Sequence, residues 1–290
     1  MKPYEWMVKY TPQKVWIERK GLIIWLSMYF GMFGGGAYLV SLYFNNLAGM
    51  FISWLIVLVI KSGLHVAHAE KPLKLWRMLL RPQTSWISRG LILTILFIVF
   101  SAAQLAFSVG APGTVGELIF KVLGGIAAFG VMVYAGFVLS YVGGIPFWNV
   151  AVLPALFILW GILSGLSLVS IAGLDGGGVK TAMVAGIVLS AAALVVIGLY
   201  LWTETYGGPT AKESVRELTR GSLGVLWGIG VIFIGIMIPL AVSLITYFSG
   251  SQFNSSLTIL IFLCEMIGGL AFTYGVLKVG VYGPLITTRV

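Results

Sequence analysis

"GLIIWLSMYFGMFGGGAYLVSLYF", Gly21 to Phe44, runs without a single charged side chain. A helix rises ~1.5 Å per residue, so roughly 20 apolar residues cross a bilayer core, and this run is long enough. It is too long, and too poorly followed by a small-residue cleavage site, to read as a removable signal peptide. It is therefore expected to stay in the mature fold as a membrane span. The pattern recurs along the chain, and eight spans are expected at about 21–44, 47–67, 90–109, 118–141, 148–171, 181–203, 221–248 and 257–280.

Composition agrees. Of 290 residues, 59% are apolar and only 9% charged, where a soluble domain carries about a quarter charged residues. Ten-residue alternating strands are absent, which speaks against a membrane barrel. The expected fold is all-α: a polytopic membrane protein of eight transmembrane helices.

The net charge of +9 raises the question of nucleic acid, but its placement answers against it. With eight spans, both termini and the joints after spans 2, 4 and 6 share one face. Of the 18 Lys and Arg residues, all but Lys61, Lys121 and Lys180 fall on that face. By the positive-inside rule it is cytoplasmic, and the localisation expected is the cell inner membrane. The alternative is that the basic loops attract an acidic partner and lie on the periplasmic face.

Cysteine and histidine exclude several chemistries. Cys264 is the only cysteine, so the chain cannot hold an iron–sulfur cluster or a zinc site by itself. His65 and His68 are the two histidines, and at this spacing both lie on one side of a helix. They cannot grip the two faces of a haem. If electrons pass through this protein, they do so on a diffusible carrier and a partner subunit.

Two halves are visible. Spans 1–4 and 5–8 each make four crossings, and the longest polar joint in each half follows its second span, from Val66 to Arg89 and from Glu204 to Arg220. Both joints end in Arg-Gly, as a repeated helix bundle would give. The expected units are a basic segment 1–20, a four-helix bundle 21–141 containing the loop 66–90, a second four-helix bundle 148–280 and a tail 281–290.

The first long joint, "HAEKPLKLWRMLLRPQTSWISRG" (His68 to Gly90), resembles the signature of the NrfD family of membrane subunits of polysulfide, dimethyl sulfoxide and related reductases. His68, Pro72, Trp76, Arg77, Pro82, Ser85, Trp86, Arg89 and Gly90 occupy the positions of its pattern. "YFGMFGGGAYLV" (Tyr29 to Val40) is similar to the family's glycine-rich first helix, and "YAGFVLS" (Tyr134 to Ser140) to its segment in the fourth. These matches cover the first half of the chain. Where some members carry a polar or His residue near the start of the first span, this chain has Trp16, Glu18 and Lys20.

The resemblance implies two four-helix bundles, no haem, iron–sulfur cluster or metal in this chain, and a site for a quinone or quinol, menaquinone or ubiquinone. It implies as partners a four-cluster ferredoxin-like iron–sulfur subunit and a catalytic subunit, often a molybdenum enzyme. The chain would then be non-catalytic alone. Depth arithmetic is consistent with a site: Lys61 and Tyr134 each lie about 10 Å below the charged surface at ~1.5 Å per residue. A His and a Tyr can donate hydrogen bonds to the two quinone carbonyls, and an imidazole can relay protons.

The site expected from these readings is His68 and Tyr134, with Lys61, His65 and Glu70 as proton-handling neighbours. Arg89 sits beside the head group, and Gly34, Gly35 and Gly36 make room for the tail or for close helix approach. Trp76, Arg77, Trp86 and Arg89 would dock the partner, since aromatic residues and Arg are enriched at interface hot spots. Each has a plainer reading: His65 as a satisfied polar residue at a helix end, Tyr134 as core, the glycines as packing devices, the loop aromatics as interfacial anchors. Glu265, well inside span 8, is a functional candidate because a carboxylate in lipid is expensive, and a proton path is the role expected of it. Two other classes stay open, a secondary transporter or proton-translocating protein resting on Lys61 and Glu265, and a purely structural membrane anchor.

Overall fold

The computed structural model describes residues 16–18, 20–69, 71–250 and 254–283. Among them every regular element is helical, and eight helices are long and apolar enough to cross a membrane. They are span 1 (Gly21–Tyr43), span 2 (Leu47–His68), span 3 (Trp86–Gly110), span 4 (Val115–Ser140), span 5 (Val152–Gly173), span 6 (Gly176–Tyr206), span 7 (Leu226–Phe248) and span 8 (Ser255–Val279). The chain is a multi-pass membrane protein.

Turn chemistry sets where the spans begin. The side chains of Asn46, Ser85, Thr114, Asp175 and Asn254 each accept the backbone N–H three residues on, satisfying a donor that the helix start leaves open. The Ser85 cap starts span 3 at Trp86, earlier than hydropathy alone suggests. Span 5 starts later than expected because Trp148 turns inward: it is fully buried, and its Nε1 donates to the Val276 carbonyl at 2.7 Å.

Two stretches of π-helix interrupt the spans, Ile56–Lys61 in span 2 and Leu226–Met237 in span 7. The second leads into Pro239, whose missing N–H cannot serve an α-helical ladder. The joint Glu204 to Arg220, expected to be a polar loop, is instead the end of span 6 and a short amphipathic helix, Pro209–Arg220. That helix buries Thr210, Ala211, Ser214 and Leu218, and Ser214 donates to the Val279 carbonyl at 3.0 Å.

Over an apolar stretch of 18 residues in each, spans 1, 4, 5 and 8 are more than half buried, and spans 2, 3, 6 and 7 a third or less. The inner four make the core, in which Tyr29, Trp148, Phe157, Trp160 and Phe272 are buried. Glycines let backbones meet: a Cβ on Gly36 would fall 2.2 Å from the Gly161 carbonyl oxygen between spans 1 and 5, and one on Gly268 2.3 Å from the Gly235 Cα between spans 8 and 7.

Candidate functional site

At the charged-face end, outer spans 2 and 3, inner span 4 and the loop 72–80 enclose a cavity of about 70 Å³, lined by Lys61, Ser62, His65, Val66, Leu75, Met78, Gly90, Leu91, Thr94 and Tyr134. Three of the residues expected at the site, Lys61, His65 and Tyr134, meet here. The π-helix of span 2 ends on Lys61 and aims its side chain inward, where it is only 4% exposed. There its Nζ donates to Thr94 Oγ1, which donates in turn to the Gly90 carbonyl at 2.7 Å. The ammonium also lies 6.0 Å from the centre of the Tyr134 ring, within reach of a cation–π attraction.

His65 is held from span 1. Ser27 Oγ is 2.8 Å from its Nδ1 and donates to the Lys61 carbonyl at 3.1 Å, so one hydroxyl fixes two cavity residues. With its hydrogen committed to that carbonyl, Ser27 accepts from Nδ1–H, which leaves Nε2 an acceptor for a ligand in the neutral ring and a donor in the imidazolium. Tyr134 is buried, and among the described residues its hydroxyl has no protein hydrogen-bond partner. Its ring lies directly over the bare Cα of Gly90.

The other expected residues sit elsewhere. His68, half-buried one turn beyond His65, donates from Nδ1 to the Lys20 carbonyl at 3.0 Å and does not line the cavity. Glu70 lies outside the described residues. Gly34, Gly35 and Gly36 face Val57, Ala128 and Gly161, and hold span 1 against spans 2, 4 and 5. Of the trio at the start of span 1, Glu18 pairs with Lys278 at 2.9 Å, Trp16 meets Trp148 edge-on at 5.4 Å, and Lys20 receives His68.

Arg89 turns back on its own loop. Its Nε and Nη2 donate to the Pro82 and Gln83 carbonyls, both at 2.7 Å, and its guanidinium covers the Trp86 ring at 4.6 Å. Trp86 in turn stacks on Phe137 of span 4 at 4.9 Å. Trp76 and Arg77 remain exposed on the 3₁₀ helix Pro72–Leu80, where residues three apart share a face. Leu75 and Met78 point toward the cavity, while Leu73, Trp76 and Leu79 face outward with Leu80 also exposed.

Glu265 and Lys61 do not meet. Glu265 is 3% exposed, accepts a hydrogen bond from Ser167 Oγ and lines a different cavity. Thr94, Ser27 and Gly90 are site residues that sequence reasoning missed. Two are ordinary hydroxyls without a chemical signature, whereas Gly90 was visible only as part of a pattern.

Known proteins resemble this chain along most of its length. The family model "Polysulphide reductase, NrfD" matches residues 15–282. The chain is 27% identical over 187 residues to a polysulfide reductase subunit of Wolinella succinogenes, covering 61% of this chain and 56% of that one. It is 29% identical over 159 residues to the protein NrfD homolog of Haemophilus influenzae, covering 51% of this chain and 48% of that one. The chain thus spans about half the length of these curated relatives. With a helical membrane fold and a family match running through nearly all of its length, the chain belongs to the NrfD polysulphide reductase family.

Proposed function

We propose that this chain is the quinone- or quinol-reactive membrane subunit of a respiratory oxidoreductase, and that the cavity beneath loop 72–80 receives the head group. The observation that carries the reading is the convergence of Lys61, His65 and Tyr134 on one cavity with hydrogen-bonding capacity left over. Interconverting quinone and quinol moves two electrons and two protons. Tyr134 offers an unspent hydroxyl and Lys61 two further N–H donors to the carbonyls. His65 Nε2 accepts a quinol proton in the neutral ring and donates to a quinone oxygen once the ring is protonated. His68, one helical turn further toward the aqueous face, passes protons between His65 and water.

The chain's one cysteine and two histidines leave the electrons to a partner. We assign that role to an iron–sulfur subunit serving a catalytic subunit of the molybdenum class. It docks on the outward face of the 3₁₀ helix, where Leu73, Trp76 and Leu80 are exposed at 92%, 57% and 64% beside Lys74 and Arg77. The charge asymmetry supports placing this face in the cytoplasm.

The test is Tyr134→Phe in the purified complex. Loss of quinone-linked turnover, with partner activity toward artificial dyes unchanged, is the expected result. Wild-type quinone turnover in this variant and in Lys61→Met would leave only an anchoring role.

A further inference from the structure

A second cavity, of about 40 Å³, lies between spans 5, 6, 7 and 8 and shares no lining residue with the first. Its polar lining is Ser167, Ser170, Ser190, Ser243, Thr258 and Glu265. Ser170, Val179 and Thr258 stand within a few residues of the span ends on the Lys121/Lys180 face, and Glu265 is ten positions into span 8. At ~1.5 Å per residue the cavity therefore reaches from that face about 15 Å toward the membrane centre.

Its chemistry is incomplete without water. Glu265 uses one of its acceptor sites, on Ser167. Ser190 and Ser243 are 3% and 7% exposed, and among the described residues neither hydroxyl has a protein partner. Further inward, Tyr29 Oη, Trp160 Nε1 and Ser164 Oγ are also buried without one. Tyr29 and Trp160 lie against Gly269 and Gly268, one turn from Glu265 on the same helix. Among the described residues no Lys, Arg or His lines this cavity, and the other titratable groups near Glu265 are Tyr29 of span 1 and Cys264 beside it. Buried polar groups in such numbers are ordinarily satisfied by internal water. A carboxyl group at this depth with no cation is a marker of ion or proton handling.

We infer that Glu265 is a proton-exchanging group, reached from the Lys121/Lys180 face through water held by the hydroxyls of Ser167, Ser190 and Ser243. The step is a simple transfer, in which a proton from cavity water joins Glu265 Oε and returns by the same route. It stands independently of the quinone reading, since it uses another cavity on the opposite face.

Infrared difference spectroscopy on the full chain in detergent tests it, with H₂O replaced by D₂O. Wild type should give a protonated-carboxyl band that shifts on exchange and is lost in Glu265→Gln. Filling the entrance with Thr258→Leu or Ser243→Leu should keep the band and slow its exchange several-fold, which preserves the test should the glutamine variant fail to fold. A Glu265 band that never exchanges in folded protein overturns the inference, as does a spectrum unchanged in Glu265→Gln. Conversion of the band to ionised carboxylate by sodium chloride, but not by choline chloride, would overturn it in favour of a metal-cation site.

Discussion

Gly90 and Tyr134 meet across spans 3 and 4 so closely that a Cβ on residue 90 would sit 2.0 Å from the ring's Cε2. The glycine is the floor on which the tyrosine lies. Gly90→Ala should therefore tilt the ring out of the cavity, and a displacement of ~1 Å can cost about 100-fold in rate. Quinone-linked turnover of the variant complex measures it. Gly63→Ala, in open space on span 2, is the control that should keep full activity.

The two histidines should separate by role. His65→Gln removes a ring that lines the cavity, so quinone-linked turnover should fall by about 10²-fold or more, the usual weight of a positioned acid–base group. His68→Ala leaves the cavity lining intact and breaks the bond to the Lys20 carbonyl. Its turnover should fall less and recover in part with small diffusible buffers. Equal loss in both variants, without buffer rescue, would contradict the division.

Arg89 fastens the loop with two parallel donors and a stacked ring. An ammonium cannot reproduce that fork, so Arg89→Lys is not conservative here. Backbone hydrogen exchange over residues 72–85 should speed up in Arg89→Lys nearly as much as in Arg89→Ala. A lysine variant with wild-type protection would mean that the charge alone holds the loop.

The meeting of Gly36 and Gly161 leaves no room for a methyl group. Gly36→Ala should cost at least the ~1–3 kcal/mol typical of overpacking, and lower the thermal midpoint of the detergent-solubilised chain. Gly186→Ala, with nothing nearby, should not lower it.

A reporter fused after Val290 should be active only in the cytoplasm if the basic face obeys the charge rule. Activity confined to the outside would move the loop, the quinone head group and its partner to the other side of the membrane.

Hydropathy made the eight spans legible, because each must present an apolar surface over a bilayer's length. It placed their ends less well. Trp148 lies outside the regular helix, spent on a core hydrogen bond, and the amphipathic helix Pro209–Arg220 hides four buried small or apolar positions among charges. The site was legible as a layer, since depth arithmetic puts Lys61 and Tyr134 level. Which histidine faces it was not legible, because Lys61, His65 and His68 recur at i, i+4 and i+7 and share one helix face, and His68 is drawn off one turn further out by its bond to the Lys20 carbonyl. Thr94 and Ser27 matter through single hydroxyl bonds to Lys61 and His65, and nothing in a sequence distinguishes such hydroxyls from others in a membrane helix. The Arg-Gly pairs that suggested a repeat do different work: Gly90 receives Tyr134, whereas Gly221 lies against Glu217, whose carboxylate accepts the Ser222 N–H.

A π-helical stretch is an α-helix carrying one residue too many, and span 2 carries it directly before Lys61. Ser62 acknowledges the surplus by donating its hydroxyl, at 2.8 Å, to the Val57 carbonyl five residues back. Removing one apolar residue between Ile56 and Ile60 would close the stretch into an ordinary helix that still spans. The surplus residue is taken up within the wide turn, so its removal would leave the flanking turns in phase, keep Lys61 and His65 on their face and shorten the span by ~1.5 Å. An added residue, beyond what the wide turn absorbs, would do the opposite: with the glycine contacts of span 1 holding the upstream half, the lysine and His65 would turn by about 100° toward lipid. The length of this helix is thus a timing device for its side chains, and an intact membrane protein with a blind pocket is one insertion away.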